Sequence, residues 1–267
     1  MFAVSRRRLL LSAPFAPALV ARLASAGMAS PTLTVLFDNY PFGDGCATGW
    51  GFSSLIEGVG RTILFDAGAD AAVFQRNVDA LKVDLARADF VFVSHDHTDH
   101  TGGLAAAFRK KPGVPVYVPF SAEPQFQAAV RGAGARLIAV REPQEFAPGI
   151  FSTGDLGQAI HEQALILDTP QGLVVVAGCA HPGIASIVEK ARLVGKRNVW
   201  MVLGGFHLGS TAPADVEKII SRFKELGVQR VGATHCTGDV AIGMFRKAFG
   251  QSFVELGVGR KIDLGTP

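Results

Sequence analysis

Cysteine is scarce in this 267-residue sequence, which contains three, Cys46, Cys179 and Cys236. Three is too few, and an odd number, for the disulfide framework that stabilises small secreted proteins. Charge blocks, low-complexity tracts and repeats are also missing. With 48% hydrophobic and 18% charged residues, the composition excludes a disordered chain or a coiled coil. What remains is a compact globular protein, and its 31 glycines indicate many turns.

The N-terminal apolar stretch is too short for a membrane span. Leu9–Ala21 has 13 residues and contains two prolines, whereas a spanning helix needs about 20 apolar residues. Basic residues precede it in Ser5-Arg6-Arg7-Arg8, and small residues follow it in Ala24-Ser25-Ala26. This order is typical of a cleaved export signal rather than of stable membrane insertion.

The Ser-Arg-Arg-x-Leu-Leu order resembles a twin-arginine signal, which exports folded proteins. We expect residues 1–26 to be cleaved, residues 27–267 to form one domain, and the protein to be periplasmic or exported. The alternatives are an ordinary secretory signal and a mis-called start codon, which would make the protein cytoplasmic. Cleavage would change the formal net charge from +3 to −1, because residues 1–26 hold four arginines and no acid. The high isoelectric point therefore comes mostly from the leader, and we expect no nucleic-acid partner.

Short apolar runs alternate with helical patterns along the rest of the chain. The predicted strands are Leu33–Phe37, Ser53–Glu57, Thr62–Phe65, Phe90–Ser94, Val116–Val118, Leu137–Val140, Ala164–Asp168, Leu173–Ala177, Val199–Leu203 and Arg230–Ala233. The predicted helices are Ala71–Val78, Leu104–Lys110, Glu123–Arg131, Ile184–Leu193, Pro213–Leu226 and Val240–Phe249. Strands with interspersed helices in both halves predict a mixed α/β (α+β) fold, in which two sheets pack face to face between helices in a four-layer αββα sandwich.

Four potential metal ligands lie within six residues, directly after the buried-strand pattern Phe90–Ser94. They are His95, His97, Asp99 and His100. His95 and His97 can point the same way in extended backbone, and the other two follow as the chain turns. One loop can thus offer two ligands to each of two divalent metal ions. Imidazoles and a carboxylate suit zinc, with manganese or iron as alternatives.

Six of the seven histidines lie at or beside glycine-rich or aspartate-rich turns that follow apolar strands. The seven are His95, His97, His100, His161, His181, His207 and His235. Together with Phe65-Asp66-Ala67-Gly68 and His95-Asp96-His97-Thr98-Asp99-His100, these turns make the chain resemble the metallo-β-lactamase superfamily.

The chain is more narrowly similar to the branch named after dihydropterin-methyl-ribofuranosylaminobenzene-phosphate synthase, over nearly the whole length from Leu33 onward. The residues that carry this closer match are Gly49-Trp50-Gly51-Phe52-Ser53, Ser94-His95-Asp96-His97, Thr101-Gly102-Gly103-Leu104, Gly178-Cys179-Ala180-His181-Pro182-Gly183, Gly204-Gly205-Phe206-His207-Leu208 and Thr234-His235-Cys236-Thr237-Gly238.

The resemblance implies two metals with separate ligand sets. One would be held by His95, His97 and His181, and the other by Asp99, His100 and His235. Many superfamily hydrolases have a bridging aspartate after the strand that here ends in Ala177-Gly178, where this chain has Cys179 and His181. No bridging carboxylate is therefore assigned. Asp155 imitates the missing motif but precedes a different strand, and is interpreted as a turn residue.

The remaining candidates have local interpretations. Asp66 is expected to orient the metal loop through hydrogen bonds, and Cys179 and Cys236 to be small buried neighbours rather than ligands. His207 would either face the substrate and transfer protons or support a ligand by a hydrogen bond. His161 lies either near the cleft or in solvent. The segment from Phe42 to Trp50 is either a flap over the metals or a surface loop with Trp50 in the core.

Hydrolysis is the expected chemistry, because a divalent metal lowers the pKa of bound water to about 7 and makes hydroxide available at neutral pH. Metal-bound hydroxide would attack an ester, phosphoester, thioester or lactam-type small molecule. Asp99 would hold the water, and His207 or the second metal would stabilise negative charge. The branch implies an alternative, a transferase that condenses a dihydropterin pyrophosphate with an aminobenzene ribofuranosyl phosphate. A second alternative is a non-catalytic metal-binding or sensor protein.

Overall fold

The computed structural model describes residues 30–265, so the expected leader at residues 1–26 lies outside the described residues. Seven described strands form the first sheet, in the order β13-β1-β2-β3-β4-β5-β6. Their bounds are β1 Thr32–Phe37, β2 Ser53–Glu57, β3 Ile63–Phe65, β4 Phe90–Phe92, β5 Pro115–Pro119, β6 Arg136–Val140 and β13 Lys261–Asp263. Strands β3 to β6 run parallel to one another, and the pairs that involve β13, β1 and β2 are antiparallel.

The second sheet has the order β12-β11-β10-β9-β8-β7 among the described residues. Its strands are β7 Gln144–Ala147, β8 Ile150–Ser152, β9 Leu165–Thr169, β10 Gly172–Ala177, β11 Val199–Gly205 and β12 Arg230–Thr234. Strands β10, β11 and β12 are parallel, whereas β7 to β10 pair antiparallel. The two parallel segments matter most for function, because their carboxyl ends carry the candidate site.

Helices cover the outer faces of both sheets. Their bounds are α1 Ala71–Ala80, α2 Thr98–Thr101, α3 Leu104–Lys110, α4 Pro124–Gly132, α5 Ile184–Gly195, α6 Pro213–Glu225 and α7 Asp239–Phe249. One hydrophobic cluster joins α1, α3 and α4 to the first sheet, and another joins α5, α6 and α7 to the second. A third cluster lies between the sheets and contains residues of both. This is the predicted four-layer αββα arrangement.

Strand β10 shows how the sequence produces these layers. Val174 and Val176 face the core between the sheets, while Leu173, Val175 and Ala177 face the helices. Successive side chains of a strand point to opposite faces, so a central strand covered on both sides reads as a continuous apolar run. Burial of both faces fixes the register of β10 and therefore the position of the turn that follows it.

Sequence reasoning missed three strands and one short helix. Strands β7 and β13 are polar and lie at the edges of their sheets, and β8 has only three residues. Edge strands bury little surface, so their sequences need not alternate clearly. Helix α2 is a single turn inside the metal motif. None of the helices in the described part of the chain is long and apolar enough to cross a membrane.

Candidate metal centre

The candidate ligands converge at the carboxyl ends of parallel strands from both sheets. In the first sheet the chain passes from β4 to His95, and in the second the turns after β10, β11 and β12 hold His181, His207 and His235. Two packed sheets thus bring side chains more than 130 positions apart into one cleft. Loops on a rigid strand framework are a common place for reactive groups.

The structure brings the six predicted metal ligands together. The ring centroid of His95 lies 4.6 Å from that of His97 and 4.9 Å from that of His181. On the other side, Asp99 Oδ2 lies 3.3 Å from His235 Nε2 and 3.7 Å from His100 Nε2. The two sets adjoin each other, since the ring centroids of His95 and His100 are 4.3 Å apart, and both the division into two sets and the binding of metal stay predictions.

Hydrogen bonds fix the orientation of three imidazoles. The Nδ1 atom of His95 contacts Ser94 Oγ at 2.9 Å, that of His100 contacts Asp66 Oδ2 at 2.7 Å, and that of His235 contacts Asn39 Oδ1 at 3.0 Å. Partners on Nδ1 leave Nε2 to face the centre of the cluster, as is usual for metal-binding histidines.

Two buried imidazole nitrogens lack a hydrogen-bond partner among the residues that the structure describes. They are His95 Nε2 and His181 Nε2, which belong to the same predicted ligand set. A buried polar atom without a partner is costly, and a metal ion would satisfy both. Imidazole nitrogens, a carboxylate and a nearby thiol are also the donors that zinc prefers. The residues present therefore fit a zinc-type metal centre.

Asp66 orients the metal loop, residues 94–100, through hydrogen bonds, as the sequence predicted. Its fully buried carboxylate accepts hydrogen bonds from Ser94 N and Ser94 Oγ, both at 2.7 Å, besides its contact with His100. Burial raises the pKa of Asp66, although the charge of His100 and these hydrogen bonds oppose the shift. Asp66 therefore fixes the loop at two points, which are the backbone N–H of Ser94 and the imidazole ring of His100.

Glu162 performs a comparable role that sequence reasoning missed. Its buried carboxylate accepts four hydrogen bonds of 2.9–3.0 Å from the backbone N–H groups of residues 178 to 181. Burial raises the pKa of Glu162, and the N–H donors oppose that shift. The sequence signal for Glu162 was a single acidic residue between His161 and the apolar run of β9. By itself such a residue looks like an ordinary surface residue.

The turn after β10 packs directly against the metal loop. A Cβ atom on Gly178 would lie 2.1 Å from Ser94 Oγ and 3.2 Å from Asp66 Oδ2, so only glycine fits there. Asp66, Ala180, His207 and His235 all have φ angles between +50° and +61°. Positive φ in residues other than glycine costs free energy and often marks functional sites. The strain is concentrated where the two sheets meet.

The charge environment separates the histidines. Burial, together with the neighbouring histidines, lowers the pKa of His95 well below its ordinary value and that of His181 to about 4. Burial opposes a charge on His100, but Asp66 and Asp99 raise its pKa. Burial likewise opposes ionisation of Asp99, but its hydrogen bond with His235 and the charges of both histidines lower its pKa. Neutral imidazoles and an ionised carboxylate are the forms that bind metal.

His207 lies on the rim of the centre. It is exposed, and its ring centroid is 4.3 Å from that of His181. A hydrogen bond with Cys236 raises the pKa of His207, although partial burial opposes the shift. Both alternatives predicted for His207 require a position beside a ligand, and the structure provides it.

Trp50 corrects one alternative from the sequence. Its side chain is 60% exposed rather than in the core, and its ring centroid lies 5.0 Å from that of His235. The segment from Phe42 to Trp50 therefore ends over the second predicted ligand set. A cavity of about 680 Å³ opens beside His181 and is also lined by Pro182 and Lys190. The centre thus has an aromatic edge and room for a small molecule.

Asp155 and His161 pair with each other outside the metal centre. His161 Nδ1 lies 2.9 Å from Asp155 Oδ1, and Asp155 Oδ2 accepts a hydrogen bond from Ser121 N. The side chain of His161 is 36% exposed. Asp155 therefore connects loops, in agreement with its interpretation as a turn residue.

Both site cysteines are buried, as expected, but they differ in position. Cys179 Sγ lies 3.2 Å from His100 Nε2 and 3.5 Å from His235 Nε2. It belongs to a compact group of possible ligand atoms with His95 and His181, and to another with Asp99, His100 and His235. Cys236 shares such a group only with Cys179 and His207. Cys179 therefore lies closer to the predicted ligands than a small residue that only fills space beside them would need to lie.

Several known proteins are similar to this chain in sequence or in fold. The model of the metallo-β-lactamase superfamily matches residues 50–192. The chain is 32% identical, over 79% of its length and 89% of the relative, to 7,8-dihydropterin-6-methyl-4-(β-D-ribofuranosyl)-aminobenzene-5'-phosphate synthase of Methanocaldococcus jannaschii.

Solved structures agree with this relationship. A metal-dependent hydrolase of the β-lactamase superfamily superposes with a TM-score of 0.74 at 27% identity, covering 88% of this chain and 100% of the other. A metallo-β-lactamase-fold protein from Bacillus subtilis, at 16% identity and a TM-score of 0.63 with the same coverage, shares the fold. The chain belongs to the metallo-β-lactamase superfamily, in the branch that contains the M. jannaschii synthase.

Proposed function

We propose that this protein is a hydrolase that uses two divalent metal ions, preferably zinc, to cleave an ester, phosphoester, thioester or lactam-type bond in a small molecule. The observation that carries the proposal is the pair of buried imidazole nitrogens without partners, His95 Nε2 and His181 Nε2, which lie in one predicted ligand set. With His97 they would hold one metal, and the second would be held by Asp99, His100 and His235. Bound metals would polarise the scissile group and lower the pKa of water.

Asp99 is suited to hold the attacking water. Its carboxylate is 18% exposed and lies between the cleft and the imidazoles of His100 and His235. Because its pKa is lowered, it is ionised at neutral pH and accepts a hydrogen bond. It therefore orients a water molecule as well as serving as a predicted ligand.

His207 is suited to transfer a proton to the leaving group. It is exposed beside His181 and has a raised pKa, whereas the pKa of His181 is lowered, so His207 carries a proton at a higher pH than His181 does. A cationic imidazole at the rim also stabilises negative charge that develops on the substrate. Of the two alternatives from the sequence, we propose the proton-transferring role.

Metal removal tests the proposal. We expect the purified protein to contain about two zinc ions and to lose its activity on a panel of phosphodiester, lactone, thioester and lactam substrates when a chelator strips them. The His207→Gln variant should keep its metal and lose about 10²- to 10⁴-fold in kcat. His161→Gln is the matched control and should be unaffected. Full activity of the stripped protein, or a wild-type kcat in His207→Gln, would overturn the corresponding claim.

A transferase is the second candidate, because the M. jannaschii relative is a synthase. Trp50 favours it, since an exposed indole 5.0 Å from His235 offers a flat surface on which a pterin ring could stack. The metals would then bind the pyrophosphate leaving group, and water would be an unwanted competitor. Export, which we propose from the leader pattern, weighs against this candidate because pterin pyrophosphates are cytoplasmic metabolites.

Incubation with a dihydropterin pyrophosphate and an aminobenzoate separates the two candidates. A condensed product would establish transfer, and free pterin alcohol without condensation would favour hydrolysis. For transfer, Trp50→Ala should raise KM about 3- to 10-fold, which corresponds to a stacking contact of about 1 kcal/mol. Phe42→Ala, on the same segment, is the control and should leave KM unchanged.

A further inference from the structure

Cys179 occupies the space between the two predicted ligand sets. Its sulfur belongs to one compact group with His95 and His181, and to another with Asp99, His100 and His235, and within each group the possible ligand atoms lie within 4.8 Å of one another. Of the described residues, Cys179 alone offers an atom to groups drawn from both sets without belonging to either. From this juxtaposition we infer that Cys179 is a metal ligand whose thiolate bridges the two metals. The inference rests on the proposed dinuclear function.

The distances match shared coordination. Ligand bonds of about 2.3 Å to sulfur and about 2.0 Å to nitrogen, arranged tetrahedrally, place the two ligand atoms roughly 3.5 Å apart. Cys179 Sγ lies 3.2 Å from His100 Nε2 and 3.5 Å from His235 Nε2. The Nδ1 atoms of both histidines are already bonded to Asp66 and Asn39, so the Nε2 atoms and the sulfur face the same point.

The surrounding chain holds the sulfur in this position. Glu162 accepts hydrogen bonds from the backbone N–H groups on both sides of Cys179 and from its own. Gly178 is pressed against Ser94 and Asp66, so the turn cannot move towards the metal loop. The side chain of Cys179 is 2% exposed, which keeps it from solvent. A sulfur fixed by two independent supports is pre-organised for a ligand role.

A purely structural role explains less. A small apolar filler would need no central placement among four imidazoles and a carboxylate, and a buried thiol is a weak hydrogen-bond donor. Cys236, which is 8% exposed, differs, because its sulfur approaches the sulfur and the carbonyl oxygen of Cys179 and the ring of His207, and it shares no compact group with the six predicted ligands. Cys179 would release its thiol proton to solvent when metal binds, and the thiolate would donate one electron pair to each metal.

A thiolate bridge would also select the metal. Thiolate is a soft ligand that favours zinc over manganese, whereas a carboxylate bridge accepts either. Of zinc and manganese, two of the metals considered from the sequence, the bridge therefore favours zinc. In this chain Cys179, in the turn after β10, would perform with sulfur the bridging role that carboxylate oxygen performs in many superfamily hydrolases.

X-ray absorption at the zinc edge tests the inference without measuring activity. The full-length protein is stripped and reloaded with zinc to its measured capacity, and sulfur neighbours near 2.3 Å are counted. A bridging thiolate gives one sulfur per zinc in the wild type and in the control Cys236→Ser, and none in Cys179→Ser. Cys179→Asp should restore two zinc ions with oxygen in place of sulfur. The wild-type count stands even where a variant fails to fold.

Each other result overturns a definite claim. Two zinc ions without sulfur neighbours would overturn the ligand role of Cys179 and leave the proposed function intact. Half a sulfur per zinc would show a terminal thiolate and overturn the bridge. A sulfur signal that disappears in Cys236→Ser and persists in Cys179→Ser would show that Cys236, and not Cys179, is the sulfur ligand. Failure of the wild type to bind stoichiometric zinc would overturn the proposed function together with this inference.

Discussion

The two halves of the candidate metal centre are built in different ways. The half on the first sheet is a single loop, in which His95, His97, Asp99 and His100 follow β4 within six residues. The half on the second sheet comes from separate turns, and Cys179 and His235 are 56 positions apart in sequence. Local chain geometry creates the first half, whereas the second exists only when β10, β11 and β12 align. A change in sheet packing would therefore damage the second half more readily.

Both halves nevertheless depend on one buried carboxylate each. Asp66 bonds the backbone of Ser94 and the ring of His100, so it acts on a ligand directly. Glu162 bonds only backbone N–H groups, so it acts through the shape of the turn that carries Cys179 and His181. This difference predicts unequal consequences when each support is removed.

Loss of Asp66 should have the largest effect. Asp66→Ala removes the acceptor of three buried hydrogen bonds, so we expect a loss of about 3 kcal/mol or more in the free energy of unfolding, because each unsatisfied buried donor costs about 1–3 kcal/mol. Metal bound through His100 should be lost as well. Urea denaturation and elemental analysis measure both. Asp155→Ala, which removes a similar histidine and N–H acceptor outside the centre, should keep the metal content. Full metal content in Asp66→Ala would contradict the supporting role of Asp66.

Replacement of Glu162 by glutamine should have a smaller effect confined to the second half. The variant keeps one oxygen and exchanges the other for a donor facing an N–H group, which should cost about 1–3 kcal/mol. We expect metal affinity to fall about 10- to 100-fold, as for other residues that orient ligands. Competition with a chelator measures it. Glu189 lies on α5 and forms an exposed ion pair with Arg222 on α6. Glu189→Gln is therefore the control, and it should change neither the stability nor the metal affinity. Equal metal affinities in Glu162→Gln and Glu189→Gln would show that the turn after β10 does not need the Glu162 carboxylate.

The pH dependence of stability provides the smallest expected effect. Asp38 accepts hydrogen bonds from Thr234 Oγ1, next to His235, and burial raises its pKa to about 7 from 3.8 although these bonds oppose the shift. The folded state then binds more protons than the unfolded state, so this contribution is complete below about pH 4 and is lost as the pH rises through 7. Between pH 6 and 7 it should fall by about 1 kcal/mol. Urea titrations should give a flatter profile for Asp38→Asn. Parallel profiles would exclude Asp38 as the source.

The predictable part of the fold follows from burial. Runs such as Phe90–Ser94 and Leu173–Ala177 are apolar because sheets or helices cover both faces of their strands, and the structure confirms both strands with small changes in their ends. Strands β7, β8 and β13 were missed because they are short or polar. Their pairing depends on neighbouring strands rather than on their own residues.

The candidate site divides in the same way. The histidines and Asp99 could be found from residue type, spacing and the glycine-rich turns. The supporting roles of Glu162 and Asn39 could not, since each becomes visible only through partners far away in sequence. The sequence left Trp50 either on a flap over the metals or in the core, because its exposure depends on the direction in which the segment leaves the sheet.

The sequence by itself predicted the four-layer arrangement from local periodicity, and its histidine motifs carried the resemblance to the superfamily, which in turn implied the candidate metal ligands. Only the tertiary structure decided that Cys179 lies between the two ligand sets and that Glu162 holds it there. The physical reason is that strand register and sheet packing set distances between turns, and these involve residues that no local pattern connects.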